Sequence, residues 1–157
     1  MKSIFKISGI MVLFLFSGCL QGMENAPDFT LKDVDGNSFS LHDFKGKIVI
    51  LDFMATWCTP CEKQMEELVS LSKEIGNDTV IISIDIDLSE NIQQIKSFME
   101  KYNATWIFAR DTAEEKVAAK YNVVAIPKIV VIGKDGKILY SHSGVTEKEK
   151  LLSIIKG

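Results

Sequence analysis

Two cysteines, Cys58 and Cys61, stand two residues apart in "MATWCTPCEKQ", directly after an apolar run. A pair at this spacing can supply half of a zinc site or can cycle between dithiol and disulfide. A structural zinc site needs four ligands and a catalytic one three, and the other donors here are thin. Cys19 lies in an apolar N-terminal segment, and His42 and His142 are isolated in segments that read as hairpins. No metal and no cofactor are therefore expected. The surroundings favour electron exchange instead. "KIVILDF" is an almost continuous apolar run, as in a strand covered on both faces. Beyond the pair, Cys61, Met65, Leu68, Ser72 and Ile75 recur at helical spacing until Gly76. The cysteines thus mark a strand-to-helix junction, where unpaired backbone amides and the helix dipole stabilise negative charge.

That junction gives the sulfurs different tasks. Cys58 is expected at the N-cap or first turn, its sulfur reachable by solvent and its thiolate available near neutral pH. Cys61, three residues on, lies on the same face one turn deeper. Cys58 can attack a substrate disulfide, and Cys61 can resolve the mixed disulfide, leaving an internal Cys58–Cys61 bridge. Pro60 lacks an amide hydrogen and suits the first turn. Asp52 interrupts the apolar run, where an unpaired carboxylate costs several kcal/mol or shifts its pKa upward. Six residues before Cys58, it is placed to take and return the Cys61 proton; the alternative is an acid at the strand end that reaches solvent. Pro127, at the head of "KIVVIG", must occupy an edge, a strand start or a special turn.

Other elements must position these residues. "DFTLKDVDGNSFSLHDF" alternates about Asp35-Gly36 and predicts a hairpin. "TVIISIDI" predicts a second buried strand, and "NIQQIKSFMEKY" a helix with Ile92, Ile95, Met99 and Tyr102 on one face. Thr112 with Glu115, and Thr146 with Glu149, predict capping boxes that open two further helices. Between them "IPKIVVIG" and "KILYSHSG" predict a hairpin through Asp135-Gly136. The order strand, helix, strand, helix, helix, hairpin, helix implies an α/β fold with a mixed sheet and helices on both faces.

The 157 residues suit one domain. A net charge of −3 with no basic run argues against a nucleic-acid partner. Residues 1–19 carry Lys2 and Lys6, an apolar stretch from Ile7 to Phe16, and "SGC" ending at Cys19, the build of a secretory signal. The stretch falls short of the about 20 residues of a membrane span. "LFSGC" resembles a prokaryotic lipobox, with Phe16 where Leu is commonest. Two readings follow: cleavage and lipidation at Cys19, or an uncleaved N-terminal anchor. Both hold the chain at the outer face of a membrane, through a linker at 20–26, with the domain over 27–157.

"DFMATWCTPC" and, downstream, "AIPKIVVIGKDGKI" together resemble the thioredoxin superfamily over residues 27–156, and the early hairpin and the helix near Ile92 are similar to the extracytoplasmic TlpA/ResA-type thiol-disulfide oxidoreductases. The resemblance implies a thioredoxin-like fold with an inserted helix. It makes Cys58 the nucleophile, Cys61 the resolving cysteine and Pro127 a cis-proline facing them. Trp57, Thr59, Pro60 and Ile126 would then meet the substrate, the Ile126 backbone pairing with it as a short strand would. Asp52 matches the buried aspartate of thioredoxins proper. Met54, Gln64 and Glu66 depart from the TlpA/ResA pattern, which favours an aromatic residue, a glutamate and a kinking proline at these positions. Lacking that glutamate, the chain must rely on Asp52. The implied activity is reduction of cysteine-containing exported proteins, apocytochrome c first among them, with electrons from a transmembrane thiol carrier. Oxidase or isomerase action is the alternative within the fold. Peroxiredoxin chemistry fits poorly because Leu51 and Ala55 stand where that family places Pro and Thr or Ser. A copper chaperone would need wider cysteine spacing and His142 as a third ligand.

Overall fold

In a computed structural model, which describes residues 24–157, the chain opens with a hairpin of β1 (Thr30–Lys32) and β2 (Ser38–Ser40). The signal, Cys19 and the start of the linker lie outside the described residues. Asp33 shapes the turn by accepting the amides of Asp35 and Asn37 at 2.9 and 2.8 Å, and Gly36 takes the positive φ of 88° that the turn demands. Contacts reach upstream of Pro27, since Ala26 N–H donates to Gly136 O and Ile138 N–H to Glu24 O.

The remaining elements are a 3₁₀ turn (Leu41–Phe44), β3 (Ile48–Met54), α1 (Thr59–Ser72), β4 (Thr79–Asp85), α2 (Ile92–Lys101), β5 (Ile107–Arg110), α3 (Val117–Lys120), β6 (Lys128–Ile132), β7 (Ile138–Ser143) and α4 (Lys148–Lys156). Five strands form one sheet in the order β5-β4-β3-β6-β7, with β3, β4 and β5 parallel and β6 and β7 antiparallel. This is the mixed α/β architecture that the pattern implies, and it has the thioredoxin-like form that the resemblance implies. Both faces of β3 are covered. Val49, Leu51 and Phe53 pack with β1 and the α3 region, including Phe29, Leu31, Val117 and Tyr121. Ile48 and Ile50 meet Leu68 and Leu71 of α1 and Leu151 of α4, while Met54 meets Cys61 and Met65 of α1 and Ile95 and Phe98 of α2. Each fully buried Leu or Met contributes about 1.5–3 kcal/mol, so α1 is fixed on the sheet mainly by Met65, Leu68 and Leu71. Among the described residues no helix is long and apolar enough to cross a membrane.

Several boundaries differ from the sequence pattern. The strand β5 is absent from the expected order; it is four residues long and sits at the sheet edge, where Val34 N–H donates to Phe108 O and so shields part of that edge. α1 stops at Ser72, short of Gly76. The Thr112–Glu115 contact forms, with Glu115 N–H on Thr112 Oγ1 at 3.0 Å, but α3 opens only at Val117. Its true cap is Asp111, whose carboxylate accepts the amides of Val117 and Ala118, both at 2.8 Å. The Thr146–Glu149 box does not form. Thr146 Oγ1 is buried without a partner among the described residues, and α4 begins at Lys148, whose amide is capped by Glu67 of α1 at 2.8 Å.

Candidate active site

Cys58 is the N-cap of α1, with extended φ and ψ of −84° and 106°, and its carbonyl accepts the amides of Cys61 and Glu62. The sequence folds this way because β3 ends in a tight turn, closed by Cys58 N–H on Ala55 O at 3.2 Å, and Pro60 then enters the first turn without losing a hydrogen bond. Cys58 and Cys61 are joined by a disulfide, with Cα atoms 5.2 Å apart. Cys58 is only 4% exposed, which corrects the expectation of a solvent-reachable sulfur. With Cys61 it packs in the cluster of Met54, Ala55 and Met65. Trp57, Thr59 and Pro60 are exposed around it, Trp57 to 67%. The Trp57 indole is not loose, since its Nε1–H donates to Asp87 Oδ2 at 2.8 Å.

Beneath α1 lies Asp52, on the sheet face that carries Ile50 and Met54, and it is 1% exposed. An acid that reaches solvent is thereby excluded. Its Oδ2 accepts the Ser83 hydroxyl at 2.8 Å, and Ser83 Oγ in turn accepts Trp106 Nε1–H at 3.0 Å. Oδ1 has no partner among the described residues. Burial lifts the Asp52 pKa to about 7, against the opposing pull of the Ser83 hydrogen bond. A carboxyl that changes charge near neutrality, on the face covered by the Cys61 side of α1, can exchange a proton with a thiol.

The Ile126–Pro127 peptide bond is cis, as the resemblance implies, and Ile126 packs against the cluster that contains both cysteines. The loop before it is tied down by a residue the sequence pattern did not single out. Lys128, 8% exposed, donates from Nζ to the carbonyls of Tyr121 and Asn122 at 2.7 and 3.0 Å. Burial lowers its pKa.

Gln64 is fully buried and spends its amide on Thr146: Nε2–H donates to Thr146 O at 3.1 Å, and Oε1 accepts Thr146 N–H at 2.6 Å. An amide meets a backbone N–H and C=O at once, and a carboxylate cannot. Gln64 therefore joins α1 to the approach of α4 and has no proton to exchange. Glu66 is exposed on an uninterrupted α1. His42 is exposed in the 3₁₀ turn after β2, and His142 is exposed on β7. Among the described residues no group of three His, Cys, Asp or Glu side chains converges on a metal site.

Comparison with known proteins gives concordant likenesses. The family model described as Redoxin matches residues 21–155. The thiol-disulfide oxidoreductase ResA of Bacillus cereus is 35% identical over 159 residues, covering 96% of this chain and 89% of that protein. ResA of Bacillus thuringiensis subsp. konkukian is 38% identical over 136 residues, covering 85% and 76%. The crystal structure of a thiol:disulfide interchange protein of the thioredoxin family from Chlorobium tepidum superposes with a TM-score of 0.75 at 26% identity, covering 85% of this chain and 94% of its own.

Proposed function

The chain belongs to the Redoxin family and is a TlpA/ResA-type thiol-disulfide oxidoreductase, and from that premise we propose that it works outside the cytoplasm as a membrane-tethered reductase of exported proteins. The observation that supports this most is the placement of Cys58 at a helix N-cap, bridged to Cys61, above a buried acid with a pKa of about 7. The reduced Cys58 thiolate attacks a substrate disulfide; a Cys58–substrate bond forms as the substrate S–S bond breaks, and the departing thiolate takes a proton. Asp52 accepts the Cys61 proton, and the Cys61 thiolate attacks Cys58 Sγ. The Cys58–Cys61 bond returns and the second substrate thiol leaves. Two electrons have passed to the substrate, and a transmembrane thiol carrier restores the dithiol.

Trp57, Thr59 and Pro60 present the exposed rim on which the substrate lies, and the Ile126 backbone beside Pro127 pairs with its chain. The lipid anchor is Cys19, with the uncleaved segment as the other way to tether the domain. Apocytochrome c is the first substrate to try, on the strength of the resemblance. A potential measurement tests the direction: a Cys58–Cys61 value near that of thioredoxin, about −270 mV, agrees with a reductase, and one near about −120 mV makes the protein an oxidase.

A further inference from the structure

Asp52 is not the only acid buried on the α1 side of the sheet. Asp85, at the end of β4, is fully buried. Its Oδ1 accepts the Asp87 amide at 2.8 Å, and Oδ2 has no donor among the described residues. Glu90, 4% exposed, meets Asp85 from the loop that precedes α2. Glu90 also reaches 34 residues back along the chain. Its Oε2 accepts the Thr56 amide at 2.8 Å and its Oε1 accepts the Thr56 hydroxyl. Thr56 stands between Ala55, whose carbonyl holds the Cys58 amide, and Trp57, whose indole is held by Asp87 of the same loop. The loop itself is pinned from β5, where Arg110 Nη1–H donates to the Glu90 carbonyl.

Two adjacent carboxylates in such a space cannot both stay charged without a large penalty. One proton resolves the conflict: a protonated Asp85 donates from Oδ2, and a charged Glu90 accepts from Asp85 and twice from Thr56. We propose that Asp85 and Glu90 share one proton and act as positioning residues for the Ala55-Thr56-Trp57 approach to Cys58, Glu90 by holding Thr56 and Asp85 by holding Glu90. The link to reactivity rests on the reading of Cys58 as the attacking sulfur.

Burial and the neighbouring Glu90 push the Asp85 pKa up to about 8. The other charged groups around the pair are Asp87 on the same loop, Arg110 at the end of β5 and Asp111 beyond it. Asp52 faces it along the sheet from β3, and Glu62 of α1 and Lys101 of α2 share with Thr56 a polar groove of about 440 Å³. Asp87 is held low by hydrogen bonds from Ser89 and Trp57, and Asp52 changes charge at about 7.

The test uses the oxidised protein, in which neither Cys58 nor Cys61 titrates. The Thr56 amide signal, followed by NMR on both sides of pH 8, is expected to move with a midpoint near 8 in the wild type. Asp85→Asn, whose amide donates to Glu90 at every pH, is expected to lose that step and keep the low-pH signal. Glu90→Gln, which serves if Asp85→Asn does not fold, is expected to move the step below its wild-type midpoint, because Asp85 stays buried but loses the neighbouring carboxylate, whereas Asp52→Asn retains it. The rate of disulfide reduction by dithiothreitol, taken as the ratio of wild type to Asp85→Asn, is expected to fall about tenfold above pH 8, as befits the loss of one charge-assisted hydrogen bond. A step that survives in Asp85→Asn, an unmoved Thr56 amide in the wild type, or a flat rate ratio overturns the proposal. A protein that shows the step and the falling ratio but reduces no protein disulfide keeps the pair and refutes the reductase reading instead.

Discussion

Replacing Asp52 by asparagine is expected to stabilise the fold while slowing the chemistry. Burial raises the Asp52 carboxyl from the ordinary 3.8 to about 7. The folded chain then holds a proton that the unfolded chain has released, so stability falls as pH rises from about 4 to about 7 and levels off above. At ~1.4 kcal/mol for each pH unit, the accumulated cost reaches about 4 kcal/mol, a ceiling that local relaxation and water entry lower. Asparagine stays neutral throughout. Urea unfolding of the two oxidised proteins is expected to give equal stabilities near pH 4 and an advantage of about 2–4 kcal/mol for Asp52→Asn at about pH 8. The Asp85 contribution is common to both proteins and cancels in the difference. In the reduced protein, loss of the base is expected to slow resolution by Cys61 about 100-fold, seen as a mixed disulfide that persists at Cys58. A stability difference that does not change with pH refutes the burial argument, and an unchanged resolution rate removes Asp52 from the proton path.

Ser83→Ala removes the hydrogen bond that holds the Asp52 pKa down, so the carboxyl signal of Asp52, followed by NMR, is expected to titrate above 7. Gln64→Glu sets a carboxylate against the Thr146 carbonyl in place of an N–H donor at 3.1 Å. The folded state then favours the protonated acid, and denaturant unfolding is expected to show a loss of about 1–3 kcal/mol at neutral pH. That loss disappears below the ordinary glutamate value of about 4.3.

Much of the site was legible because its residues break local patterns. An acid inside "KIVILDF" is costly wherever the strand goes, and Asp52 proved fully enclosed. Ser83 and Asp85 stand in "TVIISIDI", which predicts a buried strand as well, but their alternation with Ile does not show which groups they meet. Only the assembled sheet brings the Ser83 hydroxyl to Asp52 and encloses Asp85 beside the loop before α2. Gln64 and Thr146 lie 82 residues apart, and no local spacing announces a pair that depends on α1 meeting α4. The capping boxes failed for a similar reason: Asp111 and Glu67 reach the helix ends from outside the expected motif. β5 was missed because four residues at a sheet edge hold too little alternation to stand out from a loop. The exposure of Cys58 was misjudged because its place at the head of a helix does not show that Met54, Ala55 and Met65 pack around it.

The division of labour between the sulfurs has a direct test. Reduced Cys61→Ser, presented with a cysteine-containing exported protein in its disulfide form and analysed intact by mass spectrometry, is expected to accumulate one covalent adduct, mapped to Cys58 and released by dithiothreitol. Absence of the adduct, or an adduct that still forms after Cys58→Ala is added, contradicts the assignment of Cys58 as the attacking sulfur.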